Sequence, residues 1–279
     1  ATVNGTSALH SALIASKVQL NDEVITQSLT FVATSNAIRY CGAHPIFVDV
    51  AKDTMGMSPT SLMQFLHDFA ELRDDGLCWN KKTKRIIRAC IPTHCLGHPA
   101  EVDKIQELCD SYNIKLIEDS AESLGSFYKG RHTGSYGDSS IISFNGNKII
   151  TCGGGGMVLT NSAIIEKKVR HITTTAKDTH SWIFSHSEIG YNYRLPNINA
   201  ALGCAQMEKL DSYVQYKRLL ADKYIEWFYN DERTFVIEPN NSKSNYWFNA
   251  FLTKDKTERD YILEYTNKNG VMTRPFWTP

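Results

Sequence analysis

Residues 100–122 decide the fold: AEVDKIQELCDSY over Ala100–Tyr112, then Asn113 and Ile114, then KLIEDSAE over Lys115–Glu122. The first run gathers acidic residues near its start, which suits the positive end of a helix dipole, and predicts a helix. The second is short and apolar and predicts a strand ending on Asp119. The same alternation continues on both sides. Upstream, Thr6–Ala15 reads as a helix with Leu9, Leu13 and Ile14 on its apolar face. Glu23–Thr26 reads as a strand, Val32–Tyr40 as a helix, Pro45–Val50 as a strand, and Arg85–Pro92 contains another. Downstream come strands at Ser139–Phe144 and Met157–Leu159. This order predicts an α/β fold with a mostly parallel sheet covered by helices. Ligands of such sheets sit at the carboxyl ends of the strands, where Asp119, Ser143 and the turn at Gly5-Thr6 fall.

The texture changes from about Asn197. A long helix over Asn197–Asn230, broken near Leu210, is followed by strands near Phe235–Ile237 and Trp247–Leu252. A helix at Glu258–Asn269 and a strand at Val271–Thr273 complete the chain. The expected division is a large α/β domain over 1–205 and a smaller α+β domain over 206–279. Asp74–Lys84 is polar and charged and reads as a linker-like surface excursion. The opening run Ala1-Thr2-Val3-Asn4-Gly5 reads as the tail of a strand entering a helix, and the chain stops just after an expected strand. Truncation at both ends is therefore expected, with part of each domain missing.

The 279 residues carry 30 basic and 30 acidic side chains. This balance argues against a nucleic-acid or membrane-surface binder, which needs surplus Lys and Arg. The hydrophobic fraction of 42% is enough for a real core. No run approaches the roughly 20 apolar residues of a membrane helix. Seven cysteines without framework spacing read as reduced thiols, and the expected location is cytoplasmic.

Four segments carry residue types capable of chemistry. In Ser143-Phe144-Asn145-Gly146-Asn147-Lys148 a strand delivers a Ser and a loop a Lys, which can form a Schiff base when partly buried or remain an exposed loop lysine. Gly153–Gly156 follow, but lead into a strand and lack nucleotide-loop spacing. Asp119 at a strand end can pair with a pyridinium nitrogen, or can cap a helix as Ser120 can. Asn4-Gly5-Thr6-Ser7 places hydroxyls at a helix start, either a phosphate site or an ordinary cap. Cys90, His94, Cys95 and His98 have the residue types for zinc, but their spacing matches no common finger and no metal is expected.

Read together, the segments are far more specific. Gly5-Thr6-Ser7-Ala8-Leu9, Leu29-Thr30-Phe31-Val32-Ala33-Thr34, Glu118-Asp119-Ser120-Ala121-Glu122-Ser123-Leu124-Gly125 and Gly134-Ser135-Tyr136-Gly137-Asp138 occur in that order. Ser143-Phe144 with Lys148, Gly153–Met157 and Gly190-Tyr191-Asn192-Tyr193-Arg194-Leu195 with Asn199–Gly203 follow. Over essentially its whole length the chain resembles the pyridoxal-phosphate-dependent sugar aminotransferases of the DegT/DnrJ/EryC1/StrS family. Thr174–Lys177, Asn192–Asn197 and Thr273–Trp277 look closest to the branch acting on nucleotide-linked 4-keto-6-deoxy sugars, the legionaminic-acid and perosamine type.

The resemblance implies the fold of type I pyridoxal-phosphate-dependent transferases, with an active site shared across a homodimer. It implies that Lys148 binds the cofactor covalently and then shuttles the proton, and that Asp119 pairs with the ring nitrogen. Phe31 would stack on the ring, and Thr6, Ser7 and Ser143 would hold the phosphate. Asn192 would reach the phosphate of the neighbouring subunit. Glu122, where the family often has Gln, would lie on the ring-hydroxyl side; this departure bears on geometry there. Some relatives carry His in place of the lysine and deoxygenate, so Lys148 favours transamination, with glutamate as donor and a nucleotide-linked keto sugar as acceptor. The product would be an amino sugar for surface polysaccharide or glycan. Contacts to sugar and nucleotide would come from among His180, His186, Tyr193, Arg194 and Arg274. Family members are longer, which reinforces the expected truncation and puts folding and dimerisation of this chain alone in question. The alternatives are another reaction on the same cofactor, such as dehydration, a non-catalytic regulatory homologue, or a metal hydrolase built on Cys90–His98.

Overall fold

Asn4 starts the first helix. Its side-chain oxygen accepts the Ser7 N–H at 2.7 Å, and α1 runs Gly5–Ala15. The computed structural model describes residues 1–178 and 180–277. After α1 come β1 (Glu23–Gln27), α2 (Val32–Tyr40), β2 (His44–Val48), α3 (Pro59–Phe69), β3 (Ala70–Leu72), β4 (Cys78–Asn80) and β5 (Ile87–Ile91). A 3-10 turn at Cys95–Gly97 leads to α4 (Val102–Ser111), β6 (Lys115–Asp119), β7 (Phe127–Tyr128), β8 (Arg131–His132), β9 (Ser139–Ser143), β10 (Gly156–Leu159) and α5 (Ala163–Thr173). The rest comprises α6 (Asn197–Met207), α7 (Leu210–Phe228), β11 (Thr234–Phe235), β12 (Ser242–Lys243), β13 (Phe251–Leu252) and α8 (Lys256–Lys268).

The central sheet has the order β10-β9-β6-β5-β1-β2, parallel throughout except that β10 runs antiparallel to β9. Its central strands are buried on both faces, and alternate residues serve opposite layers. Ile25, Cys90 and Leu116 face a core shared with Leu62 and Leu66 of α3 and Ile105 of α4. Val24, Ala89, Ile91 and Ile117 face the other, with Leu9 and Leu13 of α1 and Ile38 of α2. Truncating a fully buried residue such as Ile117 to Ala would cost about 2–5 kcal/mol.

Three expectations change. The stretch 74–84 is no linker: β3 and β4 form an antiparallel hairpin across it, with Cys78 and Asn80 buried and Asn80 Nδ2 donating to Glu23 at 2.9 Å. A three-residue strand is too short to show a period, and Asp74-Asp75-Gly76 is its turn. Helix α3 was not expected, although Ser58 caps it, Pro59 opens it and Leu62 and Leu66 lie four apart on its buried face. Val271–Thr273 forms no strand; its backbone and side chains bond back to the end of α8, through Val271 N to Thr266 O at 2.9 Å and Thr273 Oγ1 to Thr266 Oγ1 at 2.6 Å. The long helix is broken before Leu210, as expected.

Ala221 and Phe228 of α7 build a small separate core with Phe235 and Tyr246 from the chain that follows. Residues 244–247 then return to the sheet's carboxyl edge. Fully buried Asn245 donates through Nδ2 to the carbonyls of Glu122 and Leu124 at 2.8 and 2.9 Å. Gly97 is what lets it in, since a Cβ there would lie 1.9 Å from Asn245 Oδ1. Among the described residues no helix is long and apolar enough to cross a membrane.

Candidate active site

Strands β5, β6 and β9 are parallel neighbours in the sheet, and their carboxyl ends deliver Thr93, Asp119 and Ser143 to one edge. Asp119 is buried and fixed on both oxygens: Oδ2 accepts from Thr34 Oγ1 at 2.8 Å and Oδ1 from the Ala121 N–H at 3.2 Å. A relay of hydroxyls stands behind it, Thr34 to Thr30 at 2.9 Å and Thr30 to Thr93 at 3.0 Å. The carboxylate is thus oriented by α2 and the end of β5 as well as by its own strand. Phe31 sits immediately ahead of α2, on the turn that supplies Thr34, and is 53% exposed. A large apolar ring left open beside a buried carboxylate is a face available to a flat ligand.

Strand alternation turns Glu118 the opposite way, into a buried network. It accepts the N–H groups of Gly134, Tyr136 and Gly137 at 2.8, 2.7 and 2.9 Å, and pairs with His94 Nε2 at 3.1 Å. Burial pushes its carboxyl up, but the bonds from His94 and the backbone outweigh that and hold it below the usual carboxylate range. The 134–138 motif is explained by this seat.

Lys148 follows β9 in a loop. Its side chain is only 14% exposed, and Nζ lies 3.9 Å from Glu122 Oε1 and 3.9 Å from the centre of the Trp247 ring. Burial pulls the ammonium's pKa down, opposed by the Glu122 and Asp119 carboxylates. Burial pushes Glu122 up to about 8, opposed by Lys148 and by the Leu96 N–H. Trp247 is itself buried and donates Nε1–H to the Asn147 carbonyl at 2.6 Å, tying the lysine's loop to the C-terminal part of the chain.

Beside this cluster, the α1 N-terminus abuts the end of β9. A Cβ on Gly5 would lie 2.9 Å from Ser143 Cβ, so only glycine lets the helix end approach Ser143 this closely. Asn4 takes the Ser7 N–H, and the N–H groups of Gly5 and Thr6 are first-turn donors without an intrahelical acceptor. With the Thr6, Ser7 and Ser143 hydroxyls this is a cradle for a phosphate. The glycine run serves the sheet instead: Gly156 pairs with Ser143 in the ladder and exchanges backbone bonds with Thr2 at 2.7 and 2.8 Å. A phosphate cradle, a buried amine, a fixed carboxylate and an open aromatic ring fit pyridoxal phosphate.

The whole chain, residues 1–279, matches the family described as DegT/DnrJ/EryC1/StrS aminotransferase. The chain belongs to the DegT/DnrJ/EryC1/StrS aminotransferase family. It is 39% identical over 278 residues to EpsN of Bacillus subtilis (strain 168), assigned as a pyridoxal phosphate-dependent aminotransferase, covering 99% of this chain and 68% of that one. It is 39% identical to GDP-perosamine synthase of Escherichia coli O157:H7, covering 99% of this chain and 71% of that one. Its fold matches the crystal structure of the aminotransferase TlmJ from Streptoalloteichus hindustanus with a TM-score of 0.88, at 25% identity, over 100% of this chain and 71% of that one. The protein is a pyridoxal-phosphate-dependent aminotransferase with the family's α/β fold.

The other residues expected in this DegT-family site fall in different places. Arg274 is joined to the Lys148 cluster by stacked rings: its guanidinium lies 5.8 Å from Phe248, which stacks on Trp247 at 3.9 Å. Phe31 meets Trp277 at 5.8 Å. Tyr193 stacks on Tyr191 at 4.9 Å and its hydroxyl meets His10 Nδ1 at 3.3 Å, so it is pinned in an aromatic cluster beside α1. Exposed His180 caps its own turn, accepting the Trp182 and Ile183 N–H groups at 3.3 and 3.0 Å, and exposed His186 lies 2.8 Å from the Thr175 carbonyl. Arg194 and Asn192 are both exposed, and their backbones bridge Thr2 and Thr174 respectively. Within this chain the described contacts bring neither to Lys148. Cys95 donates to the Leu29 carbonyl at 3.2 Å, His94 is held by Glu118 and Ala100, and Cys90 contacts Met57, so three of the four zinc candidates are engaged separately, and the fourth, His98, packs edge-on against Tyr246. Sequence reading missed Trp247, Thr34, Thr93 and the Glu118–His94 pair. Thr34 had a signal, its place in the quoted 29–34 motif; Trp247 had none, because a Trp in an apolar run reads as core.

Proposed function

We propose that the protein transfers an amino group to the keto group of a nucleotide-linked sugar, of the 4-keto-6-deoxy class, with glutamate as donor. The amino sugar product would serve a surface polysaccharide or glycan, made in the cytoplasm. The observation that carries this is the 39% identity to a GDP-perosamine synthase over 99% of the chain. The buried Lys148 amine, 3.9 Å from Glu122, supports it as the reacting group.

Pyridoxal phosphate, when bound, supplies a ring that accepts electrons from the carbon losing its proton. The chain's own residues do the rest. Thr6, Ser7, Ser143 and the N–H groups opening α1 hold the phosphate, where the helix dipole favours an anion. Asp119, fixed by Thr34, keeps a proton on the ring nitrogen. Phe31 covers one ring face, and Trp247 walls the amine off from water. Lys148 takes the proton from the donor's α-carbon and returns it on the other side of the reaction. In a homodimer, Asn192 would complete the partner's phosphate site, which accounts for its exposure in a single chain. Arg274 is the substrate contact that the geometry favours.

The test is a visible spectrum with pyridoxal phosphate, before and after glutamate, followed by addition of a GDP-linked 4-keto-6-deoxy sugar and mass analysis of the product. The lysine-bound cofactor band should vanish with glutamate, and the sugar should gain an amine. Lys148→Ala should show neither, with turnover down by roughly 10⁴-fold. An unchanged sugar beside a glutamate-responsive band would refute the acceptor and keep the aminotransferase.

A further inference from the structure

Glu122 stands out among the carboxylates of the site. It comes from the loop after β6, is 2% exposed at the side chain, and uses only one oxygen for structure: Oε2 accepts the Leu96 N–H at 2.8 Å. Its other oxygen faces Lys148 Nζ at 3.9 Å. Asp119 differs, since both its oxygens already accept hydrogen bonds. The third titratable group here, the Cys95 thiol on the 3-10 turn, is pushed far up by burial and donates to the Leu29 carbonyl, so it stays protonated. The segment from the C-terminal part places Asn245 and Trp247 against the pair, neither of which titrates. One buried oxygen is therefore free to exchange a proton with the amine.

We propose that Glu122 is the proton partner of Lys148: it takes the ammonium proton when the amine must be neutral and gives it back afterwards. The inference rests on reading Lys148 as the amine that reacts with the cofactor. The step is balanced within the pair. The ammonium N–H bond breaks, an O–H bond forms on Glu122 Oε1, and a charged pair becomes a neutral one with no proton drawn from solvent. A rotation of the lysine side chain closes the gap. Burial lowers the cost of the neutral pair so that the charged and neutral forms are both populated, in keeping with the upward shift of Glu122 and the downward shift of Lys148. An amine reacting with an aldehyde, or taking a proton from carbon, must first be neutral, and in a pocket closed by Trp247 an internal acceptor meets that need.

The test is reductive labelling of the cofactor-free protein with pyridoxal phosphate and cyanoborohydride across pH 5–9, read as the rate of mass gain, with the labelled lysine identified by peptide mapping. Glu122→Gln keeps the acceptor for the Leu96 N–H and removes the proton site. Two coupled groups sharing one proton give a rate that rises, holds flat over about one pH unit or more, and rises again. The variant should lack the plateau and fall about tenfold per pH unit below a single midpoint. Profiles that coincide, or a single step in the unchanged protein, overturn the proposal. Label on a residue other than Lys148 overturns the reading beneath it instead. Should Glu122→Gln fail to fold, infrared spectroscopy of the unchanged protein decides: a protonated buried carboxyl lost together with the upper step supports the proposal, and its absence near pH 7 ends it.

Discussion

The two sides of the active site are built by opposite means. The floor, from β5, β6 and the start of α2, is polar and fully bonded: Asp119 on Thr34 and Ala121, Glu118 on His94 and three backbone N–H groups. The roof, from residues 245–248 and 274–277, is aromatic: Trp247 over Lys148, Phe248 on Trp247, Trp277 at Phe31. Hydrogen bonds fix direction, so the floor sets where charges point. Packed rings fix little direction but exclude water, so the roof sets how strongly those charges act. The floor should therefore fail abruptly when one bond is removed, and the roof should tolerate any change that preserves a ring face.

The largest expected effect is on the floor. Glu118→Ala leaves His94 and three N–H groups buried without an acceptor, and should cost about 4 kcal/mol in urea unfolding. A loss under about 1 kcal/mol would show that the network is not what holds the floor.

His98 lies where floor and roof meet, its ring edge-on to Tyr246 at 5.1 Å and its Nδ1 buried without a partner among the described residues. Burial pulls its pKa down from the ordinary 6.5 to about 4. Between those values the unfolded chain binds the proton and the folded one does not, so stability is lost as pH falls from 6.5 towards 4. The loss between pH 7 and pH 5 should be about 2 kcal/mol, and His98→Gln should flatten that slope. Equal slopes in both proteins would remove His98 from the account.

Next in size is Thr34→Val, which removes the hydroxyl that bonds both Asp119 and Thr30 while keeping shape. Turnover should fall about tenfold and stability by about 2 kcal/mol, and unchanged turnover would mean that Asp119 needs no orientation by α2. The smallest effect belongs to the roof. Trp247→Phe keeps a ring over Lys148 and gives up the bond to Asn147 and the packing of the larger indole, so about 1–2 kcal/mol of stability and little turnover should be lost. Were it to cost more turnover than Thr34→Val, the contrast between floor and roof would be wrong.

Much of the floor is legible in the amino-acid sequence, because a strand in a parallel sheet delivers its last residue to the ligand edge. Asp119 and Ser143 need only the strand ends, and Thr6 and Ser7 only the helix start. The hairpin over 70–80 is hidden because strands of three residues carry no measurable period. Helix α3 is a different case: Ser58, Pro59, Leu62 and Leu66 are local signals, so nothing physical hid it.

The sequence by itself determined the alternating α/β order, the strand-end positions of Asp119 and Ser143, the loop that carries Lys148 and the family to which these belong. Those are local or ordered-motif properties, written in neighbouring residues. Only the tertiary structure decided that Asn245 enters past Gly97, that Trp247 closes over an amine 99 residues earlier in the chain, and that one oxygen of Glu122 is left facing Lys148. Those contacts join segments far apart in sequence. Burial, which gives the amine and the carboxyl their altered proton affinities, exists only once distant segments have packed together and expelled water.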